Sequence, residues 1–419
     1  MQSPSSRSLT VGYVVSTWPR LSQTFVLNEI VALERLGLCI RIFSIKDPDG
    51  EPVHGRVAQV RADVTYLTFV RQWQPIAWAN LSLACLRPGL YFKNLVRALR
   101  YWRWAVIRAY FQASYLASLL RRWPVTHLHA HFCTAPALVG MFASELSGVP
   151  YSFTAHARDI YVDTHPALLR AEMQGAKAVI TVSEYNRKHL STQINPAANG
   201  KVQCIHNGLD LDQFPFHCPV LVHSRPPVIL SVARLIEKKG LGDLIDTAGI
   251  LKERGCSFHL EIIGDGPLLE SLRTQVEQLG LLDRVKLLGA QPQEVVRLAY
   301  QRAAIFALPC VVTAEGDRDG IPTALVEAMA SGVGVVSTPV SGIPELIDHG
   351  RDGLLVAPNN PNMLAQALER LLTDSELLNC LTHAARAKVE KHFSIDRSSR
   401  QLLSLFEHGG LREEKHAVV

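Results

Sequence analysis

The chain has 419 residues, of which 47% are hydrophobic and 19% charged, so it has material for large cores and is not a disordered polypeptide. At roughly 100–200 residues per domain, this length predicts two or three domains. The net charge of +5 is too small to indicate a nucleic-acid-binding protein.

Neither a membrane span nor a disulfide framework is expected. The sequence has no run of about 18 apolar residues, and MQSPSSRSLT lacks the basic and apolar regions of a secretory signal. The eight cysteines are scattered and none lies in a CxxC pair, so we expect reduced thiols in a cytosolic protein.

The first half of the chain alternates short apolar runs with helical patterns. LTVGYVVST, at 9–17, is typical of a buried parallel strand, and 22–37 has the apolar spacing of a helix that ends at Gly37. Further strands are predicted in CIRIFSI, THLHAHF, YSFTAHA, AVITVS and VQCIHNG. This alternation predicts an α/β domain with a parallel sheet.

Residues 64–144 contain no Asp or Glu, but they hold nine Arg or Lys residues and five of the six tryptophans. Such a surface could lie on an anionic bilayer, with its aromatic rings at headgroup depth. The alternative is a pair of ordinary helices whose aromatics are core and whose arginines are solvated. Nucleic acid is the least favoured partner, because no recognisable binding module accompanies the charge.

Three histidines alternate in HLHAHF, so a strand would place His127, His129 and His131 on one face. They could form a metal site, but no carboxylate or cysteine clusters with them in the sequence. Glu29 is expected on a helix surface. We therefore favour core and cleft-wall roles for the three histidines.

A proline-rich stretch, PFHCPVLVHSRPP, separates this half from a second α/β pattern. The second half predicts strands in PVILSVAR, FHLEIIGDGP, RVKLLGA, AAIFALPC, GVGVVST and DGLLVAP. We expect a first domain at 1–218, a linker at 219–227, a second domain at 228–395, and a C-terminal helix and tail at 396–419 that packs back on the first. Such halves would place a ligand cleft between the carboxyl ends of their sheets.

Several motifs, in order along the chain, resemble the family 4 (group 1) retaining glycosyltransferases, notably those of exopolysaccharide and colanic-acid biosynthesis. The matching segments are WPRLSQTFVLNEI, FTAHARDIY, VSEYNRKHL, HNGLDLDQF, SVARLIEKKG, IGDGP and DGIPTALVEAMASGVGVVSTPVSGIPELI. The resemblance extends from about Val11 to about Leu403. It implies the GT-B fold, in which two Rossmann-like domains with doubly wound parallel sheets face a central cleft.

The resemblance assigns a diphosphate-binding role to Arg234 and Lys239, which follow a predicted strand. Arginine offers a planar fork and lysine a point charge, so both can hold a departing diphosphate. Taken alone, the segment SVARLIEKKG could be a solvated basic loop.

The family also has two acids with seven residues between them, a spacing that Asp319 and Glu327 match here. The resemblance implies that Glu327 binds the ribose hydroxyls and that the loop and helix start at Gly320, Ile321, Pro322 and Thr323 face the donor. The first acid is usually Glu, so the shorter Asp319 puts its reach to the sugar in question, and Glu315 could compensate. The D-x-D of GDRDG lies inside this motif, and the family needs no metal, so we expect none.

Other residues are assigned by the same resemblance. His156 matches a histidine that contacts the donor sugar, although an isolated buried histidine is more often structural. Asn207 is expected in a turn that faces the cleft, and Ser22, Gln23 and Thr24 are polar candidates on the acceptor side. The remaining donor-binding candidates are in the turn below the nucleotide and in the backbone beside the base: Gly264, Asp265, Gly266, Gly289 and Ala290.

The expected function is a retaining transfer from a UDP- or GDP-sugar to a lipid-linked exopolysaccharide acceptor. Leaving-group stabilisation and closure of the two halves would do most of the work, in the cytoplasm or on the inner face of the cytoplasmic membrane. The alternatives are a nucleotide-sugar epimerase or phosphorylase of the same fold, and a non-catalytic nucleotide-sugar-binding partner of an assembly complex.

Overall fold

Two parallel β-sheets organise the chain, each at the centre of its own compact unit. The computed structural model describes residues 9–20, 24–48, 50, 55–218 and 226–408. Unit 1 comprises residues 1–182, 187–208 and 395–419, and unit 2 comprises 183–186 and 209–394. The expected α/β class with doubly wound parallel sheets is confirmed.

The sheet of unit 1 has the strand order β3-β2-β1-β4-β5-β6-β7. Its strands are β1 (Thr10–Thr17), β2 (Cys39–Lys46), β3 (Asp63–Tyr66), β4 (His127–His131), β5 (Tyr151–Ala155), β6 (Ala178–Thr181) and β7 (Val202–Cys204). The helices from the first half are α1 (Thr24–Arg35), α2 (Phe69–Leu86), α3 (Pro88–Arg100), α4 (Trp104–Leu120), α5 (Ala135–Ser147), α6 (Pro166–Gly175) and α7 (Glu184–His189), whose residues divide between the units.

Strand β1 shows why this sheet is covered on both faces. Val11, Tyr13 and Val15 belong to one buried cluster, whereas Val14 belongs to the other. Alternate side chains of a strand point to opposite faces, so a continuous apolar run requires helices on both sides.

The sheet of unit 2 has the strand order β10-β9-β8-β11-β12-β13. Its strands are β8 (Val228–Val232), β9 (His259–Ile263), β10 (Val285–Leu287), β11 (Ile305–Leu308), β12 (Gly334–Ser337) and β13 (Leu354–Leu355). Its helices are α8 (Leu241–Glu253), α9 (Leu269–Gln278), α10 (Gln293–Arg302), α11 (Thr323–Ser331), α12 (Ile343–Leu346), α13 (Pro361–Thr373) and α14 (Ser375–His392).

The last helix, α15 (Ile395–His408), belongs to unit 1. Leu402, Leu405 and Phe406 pack into the cluster around β1, and the Phe406 ring lies 5.4 Å from the His127 ring. Gly208 permits this packing, because a Cβ there would lie 2.5 Å from the Ile395 Cα.

The division between the units falls at Gly208 and Leu209, earlier than the linker expected at 219–227. The reason is that Leu209 and Phe214 are already part of the core of unit 2, and the His217 amide donates to the Ser331 carbonyl. Residues 219–225 of the expected linker lie outside the described residues.

In each sheet the strand order reverses direction once, between β1 and β4 in unit 1 and between β8 and β11 in unit 2. Loops that leave the carboxyl ends of neighbouring strands diverge at such a point, which is where ligands bind in open α/β folds. Across the described ranges, no helix is both long and apolar enough to span a membrane.

Candidate active site

The loops that follow β8, β9 and β10 approach one another closely in unit 2. The Leu235 amide donates to the Asp265 carbonyl over 3.0 Å, and the Gly264 amide donates to the Gly289 carbonyl over 2.8 Å. Gly264 has φ +145°, and a Cβ there would lie 1.8 Å from the Ala233 oxygen. Only glycine fits, so this turn is built for backbone contact between neighbouring loops.

A buried group of two lysines and two aspartates joins the loop after β8 to the loop after β11. Lys238 Nζ lies 3.1 Å from Asp317 Oδ1 and 3.3 Å from Asp319 Oδ1, and Lys239 Nζ lies 2.5 Å from Asp319 Oδ2. These side chains are 10–15% exposed, so water screens their charges only weakly. The group lies at the strand-order reversal of unit 2, as expected for a ligand site.

The pKa shifts within this group agree with tight ion pairing. Burial alone would raise the pKa of Asp319, but the Lys239 and Lys238 ammonium groups hold it below its ordinary value. Burial alone would lower the pKa of Lys239, but Asp319 raises it. Both groups therefore stay charged at neutral pH.

Lys239 was expected at the diphosphate and Asp319 at the donor sugar, and the structure places the two side chains in contact with each other. Both carboxylate oxygens of Asp319 bind lysine ammonium groups. Glu315, the expected substitute, is exposed. Lys238 was not predicted as a site residue, although its position next to Lys239 in the sequence is a signal that points to it.

Arg234 is exposed at the end of β8. Among the described residues, none forms an ion pair with its guanidinium. Since Lys238 and Lys239 are balanced by Asp317 and Asp319, Arg234 adds positive charge that the group does not already neutralise.

Glu327 lies on α11, and its Oε2 accepts a hydrogen bond of 3.0 Å from the Tyr300 hydroxyl. Burial raises the pKa of Glu327, although Tyr300 and the Arg297 charge oppose the shift. Helix α11 begins at Thr323, with Pro322 in the N-cap position. No side chain caps the first backbone amides of this helix. Gly320 is buried and Ile321 is half-buried in the preceding loop.

The remaining donor-side candidates differ in exposure. Gly289 has φ +68° in the loop after β10, and Ala290 beside it is exposed. The side chain of Asp265 accepts a hydrogen bond of 2.7 Å from the Gly266 amide, which closes the turn.

In unit 1, His156 directly follows β5 and is 9% exposed. Asp159 fixes the backbone around it by accepting from the amides of His156, Ala157 and Cys133 over 2.8–3.0 Å. Burial, and then the neighbouring His131, lower the pKa of His156 well below its ordinary value. The imidazole is therefore neutral at physiological pH.

The expectation that no carboxylate joins the histidine row was wrong, and so was the assignment of Glu29 to a helix surface. Glu29 Oε1 accepts from the Tyr13 hydroxyl over 2.7 Å and lies 3.1 Å from His131 Nε2. Its side chain is 14% exposed. Helix α1 packs over the end of β4 and so brings together residues that are 102 positions apart in sequence.

Glu29, His129 and His131 offer ligand atoms within 4.8 Å of one another. His129, however, already contacts the Ser152 hydroxyl through Nδ1 at 2.9 Å and the Thr154 hydroxyl through Nε2 at 3.0 Å. A metal would have to break these buried hydrogen bonds, so we interpret the group as a hydrogen-bonded cluster.

The other unit 1 candidates are only partly described. Thr24 is the first residue of α1 and is half-buried, and Asn207 is half-buried after β7. Ser22 and Gln23 lie outside the described residues.

These two units are those of a glycosyltransferase with the GT-B fold. Residues 22–213 match the model of "Glycosyltransferase Family 4", and residues 217–388 match that of "Glycosyl transferases group 1". The chain belongs to this family of enzymes, as its motifs predicted.

Two similar proteins are glycosyltransferases named for polysaccharide biosynthesis. The chain is 31% identical over 410 residues to the putative colanic acid biosynthesis glycosyltransferase WcaL of Escherichia coli K12, covering 95% of this chain and all of the relative. It is 42% identical over 207 residues to the amylovoran biosynthesis glycosyltransferase AmsK of Erwinia amylovora, covering 49% and 51% of the two chains.

Solved structures agree on the fold. Anabaena HepE in complex with UDP and glucose has a TM-score of 0.71 at 18% identity, over 95% of this chain and 99% of HepE. Sucrose-phosphate synthase from Thermosynechococcus elongatus has a TM-score of 0.72 at 18% identity, over 95% and 98% of the chains.

The burial of Glu327 predicts that replacing it changes the stability of the protein by an amount that depends on pH. Folding raises the pKa of the Glu327 carboxyl above its value of about 4.5 in the unfolded chain. Below that unfolded value the carboxyl does not destabilise the fold, and it lowers the free energy of unfolding as pH rises through the folded pKa. We expect Glu327→Gln, which keeps an acceptor for Tyr300, to melt at a higher temperature than the wild type at about pH 7.5 and at nearly the same temperature near pH 4.5.

Melting curves across this pH range test the prediction, with Glu270→Gln on the exposed surface of α9 as the matched control. The control should melt like the wild type throughout. A difference for Glu327→Gln that does not change with pH would show that burial does not disfavour the Glu327 carboxylate.

Proposed function

We propose that this glycosyltransferase moves a sugar from a nucleotide diphosphate donor, a UDP- or GDP-sugar, to a growing lipid-linked exopolysaccharide, with retention at the anomeric carbon. Two similar enzymes are named for colanic acid and amylovoran biosynthesis, and HepE, which shares the fold, was solved with UDP. Membership of the family favours the transferase over the epimerase, phosphorylase and non-catalytic alternatives.

The observation that carries this proposal is the paired charged group at the strand-order reversal of unit 2, with Arg234 beside it as positive charge that the aspartates do not balance. When the bond between the sugar and the diphosphate breaks, negative charge develops on the departing phosphate. Arg234 and Lys239 stabilise that charge, and interactions stronger in the transition state than in the ground state accelerate the reaction.

Asp319 contributes by holding Lys239. A buried ion pair of 2.5 Å fixes the ammonium before the donor arrives, so little reorganisation is needed as charge develops. Because Asp319 is one methylene shorter than the usual Glu, its carboxylate stays close to the lysines, and its contribution is positioning of Lys239 more than contact with the sugar.

The rest of the donor is held by groups of other kinds. Glu327 accepts from the ribose hydroxyls, the turn at 264–266 supports the nucleotide, and the backbone at Gly289 and Ala290 lies against the base. The backbone N–H groups of Gly320, Ile321 and Thr323 are directed at the diphosphate. Lysine and arginine supply the positive charge, so the proposed reaction needs no metal or other cofactor.

On the unit 1 side, His156 and Asn207 are the proposed contacts to the sugar. Thr24, with Ser22 and Gln23 before it, is proposed to face the acceptor.

We expect Arg234→Ala to lower kcat/KM for donor by roughly 10–100-fold, since a hydrogen bond to a charged group contributes about 1.5–3 kcal/mol. Because Arg234 is exposed, the melting temperature of the Arg234→Ala variant should equal that of the wild type. Arg273→Ala, on the exposed surface of α9, is the matched control and should keep full activity.

The measurement is initial-rate transfer from the UDP- or GDP-sugar that supports turnover, with and without a metal chelator. Equal rates with chelator support the metal-free proposal. Wild-type kinetics for Arg234→Ala would remove the diphosphate role of this residue, and loss of activity with chelator would remove the metal-free mechanism.

A membrane-facing surface is the second part of the proposal. In residues 64–144, Trp73, Trp78, Trp102 and Trp104 are 61–91% exposed, so the interpretation of these aromatics as core is wrong for all four. The exposed basic residues of the same stretch are Arg71, Arg87, Lys93, Arg100, Arg103, Arg108, Arg121 and Arg122.

Helix α3 shows how these residues share one face. Phe92, Val96 and Leu99 are 41–52% exposed and recur at the spacing of one helical side. Lys93 and Arg100 are exposed beside them, one position further along the chain. An apolar stripe flanked by basic residues suits the surface of an anionic leaflet, which we place on the inner face of the cytoplasmic membrane.

We expect the protein to sediment with vesicles that contain anionic lipid and far less with zwitterionic vesicles. Lys93→Gln with Arg100→Gln should weaken binding to anionic vesicles roughly 30-fold, at about 1 kcal/mol for each basic residue. Leu282→Ser with Lys286→Gln, an exposed apolar and basic pair in unit 2, is the matched control and should bind like the wild type. Equal sedimentation with both kinds of vesicle would contradict an electrostatic surface.

A further inference from the structure

Three residues on separate elements of unit 1 form a continuous hydrogen-bonded chain at its strand-order reversal. Glu29 on α1 contacts His131 Nε2 at the end of β4 over 3.1 Å. His131 Nδ1 contacts His156 Nε2, after β5, over 3.4 Å. Tyr13 on β1 donates to the same Glu29 oxygen over 2.7 Å.

The chemistry of the end groups sets the direction of these bonds. A carboxylate oxygen accepts, so Glu29 accepts a hydrogen bond from His131 Nε2–H. With its one ring proton on Nε2, His131 has its lone pair on Nδ1 and accepts from His156 Nε2–H. This leaves the lone pair of His156 on Nδ1.

The surroundings of His156 hold its ring in place, so the one variable is which ring nitrogen carries the proton. The rings of Phe25 and Phe132 lie 4.7 and 4.5 Å from the imidazole. Phe132 has φ +76°, a costly conformation for a non-glycine residue, and its amide donates to the Thr154 carbonyl over 2.8 Å. Asp159 fixes the backbone of His156 from the other side.

We propose that Glu29 is a positioning residue that acts through His131 to fix the tautomer of His156, so that His156 presents an Nδ1 lone pair to a hydroxyl donor of the bound sugar. The last step rests on the proposed function, in which His156 contacts the sugar. The tautomer itself does not, because it is a property of the protein without substrate.

The first experiment measures the tautomer directly. In protein labelled with 15N-histidine, long-range 1H–15N spectra distinguish the protonated ring nitrogen from the lone-pair nitrogen, and His156→Asn identifies the signal. We expect wild-type His156 to be protonated on Nε2. Glu29→Leu should yield a mixture of tautomers, whereas Glu29→Gln, which keeps an acceptor oxygen, should keep the wild-type form.

Asn28→Leu is the matched control, because Asn28 lies beside Glu29 on α1 and contacts Arg56 instead of the histidines. Its His156 spectrum should equal that of the wild type. Protonation of wild-type His156 on Nδ1, which a doubly protonated His131 would cause, overturns the proposal. So does a Glu29→Leu spectrum identical to the wild type.

The second experiment measures turnover in the same variants. We expect Glu29→Leu to lower kcat roughly tenfold, the size of one hydrogen bond, while Glu29→Gln restores most of it. A changed tautomer with unchanged kcat would overturn the positioning role of Glu29. If the wild-type protein showed no transfer with any donor, the proposed function would fail, whereas the spectra would still test the hydrogen-bonded chain.

Discussion

The ion pairs between the loops after β8 and β11 are the interaction on which the proposed donor site depends. Removing two ammonium groups from water is costly unless carboxylates compensate them, and Asp317 and Asp319 do so at 2.5–3.3 Å. The pairs join residues 79–81 positions apart and fix Lys239 at the end of the sheet. Arg234, in the same loop, then provides the charge that the pairs do not already neutralise.

The sheet of unit 1 has the same reversal of strand order, but buried histidines lie there where unit 2 has charged side chains. At its strand-order reversal the structure places neutral, buried imidazoles, and burial lowers the pKa of His129 and of His156. A charged edge suits a diphosphate, whereas a neutral, hydrogen-bonding edge suits a sugar, whose hydroxyls both donate and accept. In the proposed function, the two units divide the recognition of a nucleotide-sugar by chemistry.

Much of the fold could be predicted because buried parallel strands are continuous apolar runs. Strand β3 was missed, since DVTY is short and largely polar. Contacts between distant residues could not be predicted: neither the Lys239–Asp319 pair nor the Glu29–His131 contact leaves a periodic signal. Glu29 fits a polar helix position, and only the packing of α1 over β4 shows that it is directed at a histidine. Burial is also hard to predict from hydrophobicity alone, since four tryptophans that could have been core residues are exposed.

Ligand-induced stabilisation tests whether Arg234 and Lys239 of unit 2 bind the diphosphate of the donor, as proposed. Melting temperatures should be recorded with UDP, GDP and ADP, with their sugar conjugates, and with the matching nucleoside monophosphates. We expect one nucleoside diphosphate series to raise the melting temperature well above the matching monophosphate, and Lys239→Gln to remove most of this difference. If no diphosphate stabilised the protein more than its monophosphate did, diphosphate binding by these residues would be ruled out.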